Sequence, residues 1–173
     1  MSSKKPKFSY YRKLTKGQKA VYDKSDKIKW VKLPNAERFY QAVEALEKGL
    51  GADDREAVAD ASERIVYGLC RTLNVPQMRI RVLATRPSKS SGELHGLYEW
   101  EEGHKATITV WMRTAKQKNV VAFRSFLRTI IHEFLHHLDY NLLRLEDSFH
   151  TKGFYSRESS IAKQLLGEIT QKG

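Results

Sequence analysis

A single cysteine, Cys70, stands among the 173 residues, so an intrachain disulfide is excluded. The chain has no run of 18 apolar residues, and no hydrophobic signal core follows its basic start, which leads us to expect a soluble, cytoplasmic protein with no membrane partner. Internal repeats are absent as well. Acidic residues are scarce in the first fifth of the chain. Residues 1–32 hold eleven Lys or Arg against only Asp23 and Asp26, a net charge of +9, whereas residues 33–173 carry twenty basic against eighteen acidic side chains. The overall excess of +11 is therefore local.

This imbalance divides the chain into a basic, aromatic-containing N-terminal extension (1–32) and a single domain (33–173). In the extension, Phe8, Tyr10, Tyr11, Tyr22 and Trp30 are interleaved with lysines, a composition able to contact phosphates and stack on bases. DNA or another nucleic acid is thus one expected partner of the arm, and a solvated tail or a docked structural arm is the alternative.

Within the domain, residues 33–76 read as a helical pair. Phe39, Val43, Leu46 and Leu50 mark the first helix, closed by Gly49 and Gly51, and Val58, Ile65, Leu69 and Leu73 mark the second, which Asp53 is placed to cap. Cys70 falls on the apolar face of that second helix and reads as a buried structural thiol. Residues 77–113 read as a sheet. Alternation predicts strands at Met78–Ala84, Leu94–Trp100 and Lys105–Arg113, the last two joined by a hairpin turn at Glu101–His104. His95 and His104, in this hairpin region, are expected to be ordinary histidines.

Residues 119–173 carry the chemistry. Phe123, Leu127, Ile130, Phe134 and Leu138 form the stripe of a core-facing helix, with Asn119 as its expected N-cap. On the opposite face, shared with Ser125, Thr129 and Asp139, lie the two imidazoles of His132-Glu133-Phe134-Leu135-His136. Residues i and i+4 stack on one helix face, so both imidazoles can bind one metal ion. Glu133 sits about 100° round the helix, where its natural role is general base. A catalytic zinc takes three protein ligands and keeps a position for water. The candidates for the third are His137, His150, Glu146, Asp147 and Glu158. His150 leads because it follows a helix end where the chain can reverse towards the histidines, and Glu158 is the runner-up. Tyr140, Tyr155 and Arg157 are candidate donors to a developing oxyanion. Asp139 reads as a surface aspartate in preference to a residue that orients a ligand.

His132-Glu133-x-x-His136, thirteen intervening residues, then His150 with Phe154 four positions later resembles the SprT-like, or Spartan-type, zinc metallopeptidases over residues 78–166. In that family a third histidine opens a short H-x-x-x-[FW] segment. The resemblance implies an α+β, zincin-like (minimal gluzincin or SprT-like) domain: a small three-stranded sheet, an HExxH active-site helix, a closing helix and a helical N-terminal region. It also implies Zn2+ held by His132, His136 and His150, with Glu133 as catalytic base, acting on protein or peptide substrates, including proteins on DNA. The substrate would pair with the edge of the strand beside the active-site helix, here the Lys105–Arg113 segment. Family members often carry a cysteine-bearing zinc ribbon, and this chain has none. The alternatives are a non-catalytic zinc-containing nucleic-acid-binding protein and a regulatory peptidase with one dedicated substrate.

Overall fold

The structure, a computed structural model, describes residues 7–90 and 92–168, so the first six residues of the basic extension and the last five of the chain fall outside the described residues. It is an α+β arrangement of five α-helices and a small three-stranded sheet, with one further two-stranded ladder. The helices are α1 (Lys16–Lys27), α2 (Tyr40–Gly51) and α3 (Arg55–Thr72), then, after the strands, α4 (Phe123–Asn141) and α5 (Lys152–Leu165). Among the described residues no helix is long and apolar enough to cross a membrane.

The α2–α3 pair follows the expected apolar stripes, with Leu46, Val58, Ile65 and Leu69 fully buried. Two local expectations need correction. Asp54, not Asp53, caps α3, accepting from Ala57 N at 3.1 Å, while Asp53 takes a left-handed backbone and pairs with Arg113. Gly49 lies inside α2, which closes at Gly51. Cys70 is buried, and burial pushes its thiol up to about 11.

The strands are β1 (Arg79–Thr85), the short ladder β2 (Ser88–Lys89) with β3 (Gly92–Glu93), β4 (Gly96–Glu99) and β5 (Thr107–Arg113). The sheet order is β1-β5-β4, with β5 parallel to β1 and antiparallel to β4. This corrects the expected substrate edge. The Lys105–Arg113 segment forms the central strand, already paired on both sides, and its Ile108, Thr109, Val110, Trp111 and Met112 are all buried. Among the described residues the strand at this end of the sheet is β4, paired only with β5 and packed on α4.

One face of the sheet packs on α3 and α4, while α5 packs on α4 and carries α1 on its own flank. Helix α4 begins without a side-chain cap. Asn119, the expected cap, instead belongs to an extended approach in which Thr114 N donates to Asn119 O and Val121 N to Met112 O. That short strand-like pairing delivers the chain from β5 directly into α4.

The described part of the basic extension is docked. Thr15 and Gln18 form a capping box on α1, and Tyr22 and Ser25 are completely buried. Tyr10, Tyr11 and Tyr22 pack edge to face, and Tyr22 also meets Phe149, so of the five interleaved aromatics only Trp30 is broadly exposed, at 48%.

Candidate metal centre

Helix α4 sets the rotation of two histidines. Leu127, Ile130, Phe134 and Leu138 are buried in the core, which turns His132 and His136 outward, one helical turn apart. The chain then reverses. Leu145, 5% exposed, donates its N–H to Asp139 O at 2.8 Å and pins the turn, after which Thr151 caps α5 by accepting from Phe154 N at 2.9 Å. Between those anchors His150 comes back over α4. Phe154, fully buried, forms the apolar floor, its ring centroid 5.0 Å from that of His132 and 5.1 Å from those of His136 and His150.

The three imidazoles converge: one ring nitrogen from each lies within 4.8 Å of the others. His136 Nε2 and His150 Nε2 are 3.2 Å apart. Two nitrogens bound at 2.0–2.1 Å to one tetrahedral metal ion would be separated by about 3.3–3.4 Å, so this pair is spaced as two ligands of one ion would be. The outward-facing nitrogens are held from behind. His132 Nδ1 donates to Glu158 Oε1 at 2.8 Å, and His136 Nδ1 donates to Ser148 Oγ at 2.7 Å. Ser148 Oγ in turn donates to Asp139 Oδ2 at 2.7 Å, and Arg157 Nη2 donates to Asp139 Oδ1 at 3.1 Å. Partners of this kind assign the tautomer that leaves each Nε2 lone pair free towards the centre.

These contacts reassign several residues. Glu158, the runner-up ligand, stands behind His132, gripped by Arg128 at 3.0 Å. Glu146 is exposed, and Asp147 accepts from Ser148 N. His137 is 2% exposed and braces the fold: its Nε2 donates to Pro76 O at 2.8 Å and its Nδ1 accepts from Tyr98 Oη at 3.0 Å. His95 and His104 lie outside the cluster. The reading of Asp139 as a surface residue is overturned, because α5 closes over it and leaves it fully buried. Arg157 is no oxyanion donor, since its guanidinium is fully buried and committed to Asp139, Ser25 O and Ile28 O. Tyr140 stacks on Tyr98 at 6.5 Å. Tyr155, 41% exposed, lies nearer, with its ring 6.0 Å from His150 and 6.1 Å from His132.

Burial and the neighbouring imidazoles push His136 down to about 3, and His150 is lowered mainly by burial, so neither carries a proton near neutral pH. Neutral imidazole is the form that binds a metal. Glu133 is 8% exposed. Burial raises its carboxyl, His132 opposes that shift and Glu158 reinforces it. A carboxyl raised in this way is the kind of group that works as general base near neutrality. Burial likewise raises Asp139, with Arg157 and Ser148 pulling back.

Gly96, a residue not singled out in the sequence, completes the site. It opens β4 directly against α4, where an added Cβ would lie 2.7 Å from Thr129 Cγ2, 2.9 Å from Glu133 Cγ and 3.0 Å from Glu133 Oε1. Any side chain there would displace the carboxylate. Glycine inside a strand pattern signals such close approach, and that clue was available. A cleft of about 340 Å³ opens beside it, lined by Glu93, His95, Arg128, Thr129, His132, Glu133 and Glu158. A larger concavity of about 850 Å³, lined by Arg79, Arg81, Trp100, His104 and Lys105, contains none of the three converging histidines.

Comparison with protein-family models, with curated proteins and with solved structures returns no match.

Proposed function

We propose that this chain is a zinc-dependent endopeptidase with a zincin-like, SprT-like domain, in which His132, His136 and His150 hold the metal and Glu133 is the general base. The observation that carries this reading is the convergence of three imidazoles beside a buried carboxylate, next to the end strand of the sheet. A structural zinc has no use for Glu133 and is more often closed by a fourth protein ligand. When bound, zinc would acidify water and polarise a peptide carbonyl.

The protein side of the reaction follows from the named residues. An extended substrate adds to the outer edge of β4, Gly96–Glu99, through backbone hydrogen bonds that are indifferent to sequence. Tyr98 holds that edge against α4 through His137. Glu133 accepts a proton from the attacking water and delivers it to the leaving nitrogen. Glu158 and the Asp139–Ser148 pair keep His132 and His136 from rotating. Tyr155 is the candidate donor best placed for the developing oxyanion.

One observation favours a nucleic-acid partner. Lys13, Lys16, Lys24, Lys27, Lys29 and Lys32 are exposed and make no ion pair among the described residues, whereas Asp23 is engaged by Lys7 and Asp26 accepts from Gly153 N. The docked arm therefore presents a positive surface able to meet phosphates. Proteins bound to DNA are the substrate class this suggests.

Glu133→Gln tests the reading. The variant should bind zinc as wild type does and lose roughly 100- to 10,000-fold in cleavage of a basic protein substrate, with or without DNA. Wild-type cleavage by the variant would overturn the assignment of the base.

A further inference from the structure

Two of the three converging imidazoles are fixed by their own helix, but His150 lies on an irregular segment, and the groups that tie it down come from the N-terminal arm. Tyr10 Oη donates to the backbone carbonyl of His150 at 2.7 Å, across 140 positions of sequence. On one side of it the Phe149 ring packs near Tyr10 and Tyr22, with centroids 6.5 and 6.2 Å away. On the other side Thr151 Oγ1 meets Ser25 Oγ at 3.1 Å. Three consecutive residues, 149 to 151, are thus each attached to the arm. The fit is close, since a Cβ on Gly153 would collide with the carbonyl groups at Ser25 and Asp26.

We propose that Tyr10 is a positioning residue for the third metal ligand, and that docking of the arm and metal binding stabilise one another. The inference rests on the metal-centre reading above. A backbone carbonyl fixed by Tyr10 restricts the rotation that would swing the His150 ring away from His136, so the arm lowers the ordering cost of metal binding. Coupling between two such events is reciprocal: whatever the arm contributes to metal affinity, bound metal must return to arm docking.

The test uses the full chain with Tyr10→Phe and, as control, Tyr11→Phe, whose hydroxyl donates to Asp23 within the arm and does not touch the ligand segment. Zinc affinity is measured by chelator competition, site geometry by the d–d absorption of the cobalt-loaded protein, and fold by thermal unfolding of the metal-free protein. Tyr10→Phe should bind zinc roughly threefold to tenfold more weakly, as expected for one lost hydrogen bond, with an altered cobalt spectrum and a metal-free midpoint close to wild type. Tyr11→Phe should match wild type in affinity and spectrum. Zinc should also slow proteolysis of the arm in wild type more than in Tyr10→Phe. Wild-type affinity and spectrum in Tyr10→Phe would overturn the positioning role alone, and so would equal metal loss in both variants accompanied by lower metal-free midpoints. A wild type that takes up neither zinc nor cobalt would overturn the metal-centre reading beneath it.

Discussion

The two halves of the candidate centre are built by different means. His132 and His136 ride on a 19-residue helix whose opposite face is buried, so their spacing is a property of local backbone geometry. His150 sits on a connection with no regular structure and is held by tertiary contacts to the arm and by the turn around Ser148. A helix fixes where the His132 and His136 side chains leave the backbone, while the partners behind each Nδ1 set the rotation of the ring; His150 depends on tertiary contacts even for the position of its backbone. Ser148 joins the halves, because it lies on the irregular segment yet orients a helical histidine and is itself oriented by Asp139.

The strongest way to break this arrangement is to remove the group on which both halves converge. Asp139 and Arg157 form a fully buried ion pair, and Arg157 continues to the carbonyls of Ser25 and Ile28 at the end of α1. Asp139→Ala should cost about 3 kcal/mol by leaving the guanidinium without its counter-charge. A fall of roughly 6–12 °C in unfolding midpoint is expected for a chain of this size. An unchanged midpoint would mean that the pair does not link the arm to the centre.

Ser148→Ala is the narrower cut. It should leave the fold intact and weaken zinc about 10- to 100-fold, the usual consequence of removing the partner behind a ligating histidine. Isothermal titration would check it, and an affinity within twofold of wild type would show that helix geometry alone orients His136.

The smallest effect is that of pH on the metal-free protein. His136 falls from 6.5 to about 3 on folding, and His137 and His150 are lowered in the same direction, so between those limits the unfolded chain binds more protons than the folded one. Their contribution to stability is complete above about pH 6.5 and is lost as pH falls towards 3. Glu133 and Asp139, both raised by burial, act in the opposite sense and soften the loss. Urea midpoints should therefore decline from pH 7.5 to 4.5. A flat or rising series would place these histidines in contact with water.

What could be read in the sequence follows the same division. The stripe of α4, the outward pair His132 and His136 and the helical α2–α3 pair are legible because each depends on a period of about 3.6 residues. The β4–β5 hairpin was legible from its turn. Its position in the sheet was not, because parallel pairing of β5 with β1 joins segments whose own alternation carries no record of which strand lies between which. Asp139 was misread for a related reason: its helix face is open until α5, 13 residues further on, closes over it. By composition the arm reads as a phosphate-binding segment, a solvated tail or a docked arm, and composition does not choose among them because Tyr10 and Tyr22 are turned into the fold by partners more than 120 residues away. Side chains whose roles depend on distant partners carry only their chemistry in the sequence, not their destination.

The most direct test is zinc K-edge absorption on the wild-type chain loaded with one equivalent of Zn2+. Three imidazole nitrogens at about 2.0–2.1 Å with one further oxygen are expected. His150→Ala should reduce the imidazole count by one. A first shell with fewer than three imidazoles in the wild type, or an unchanged count in His150→Ala, would contradict the three-histidine centre.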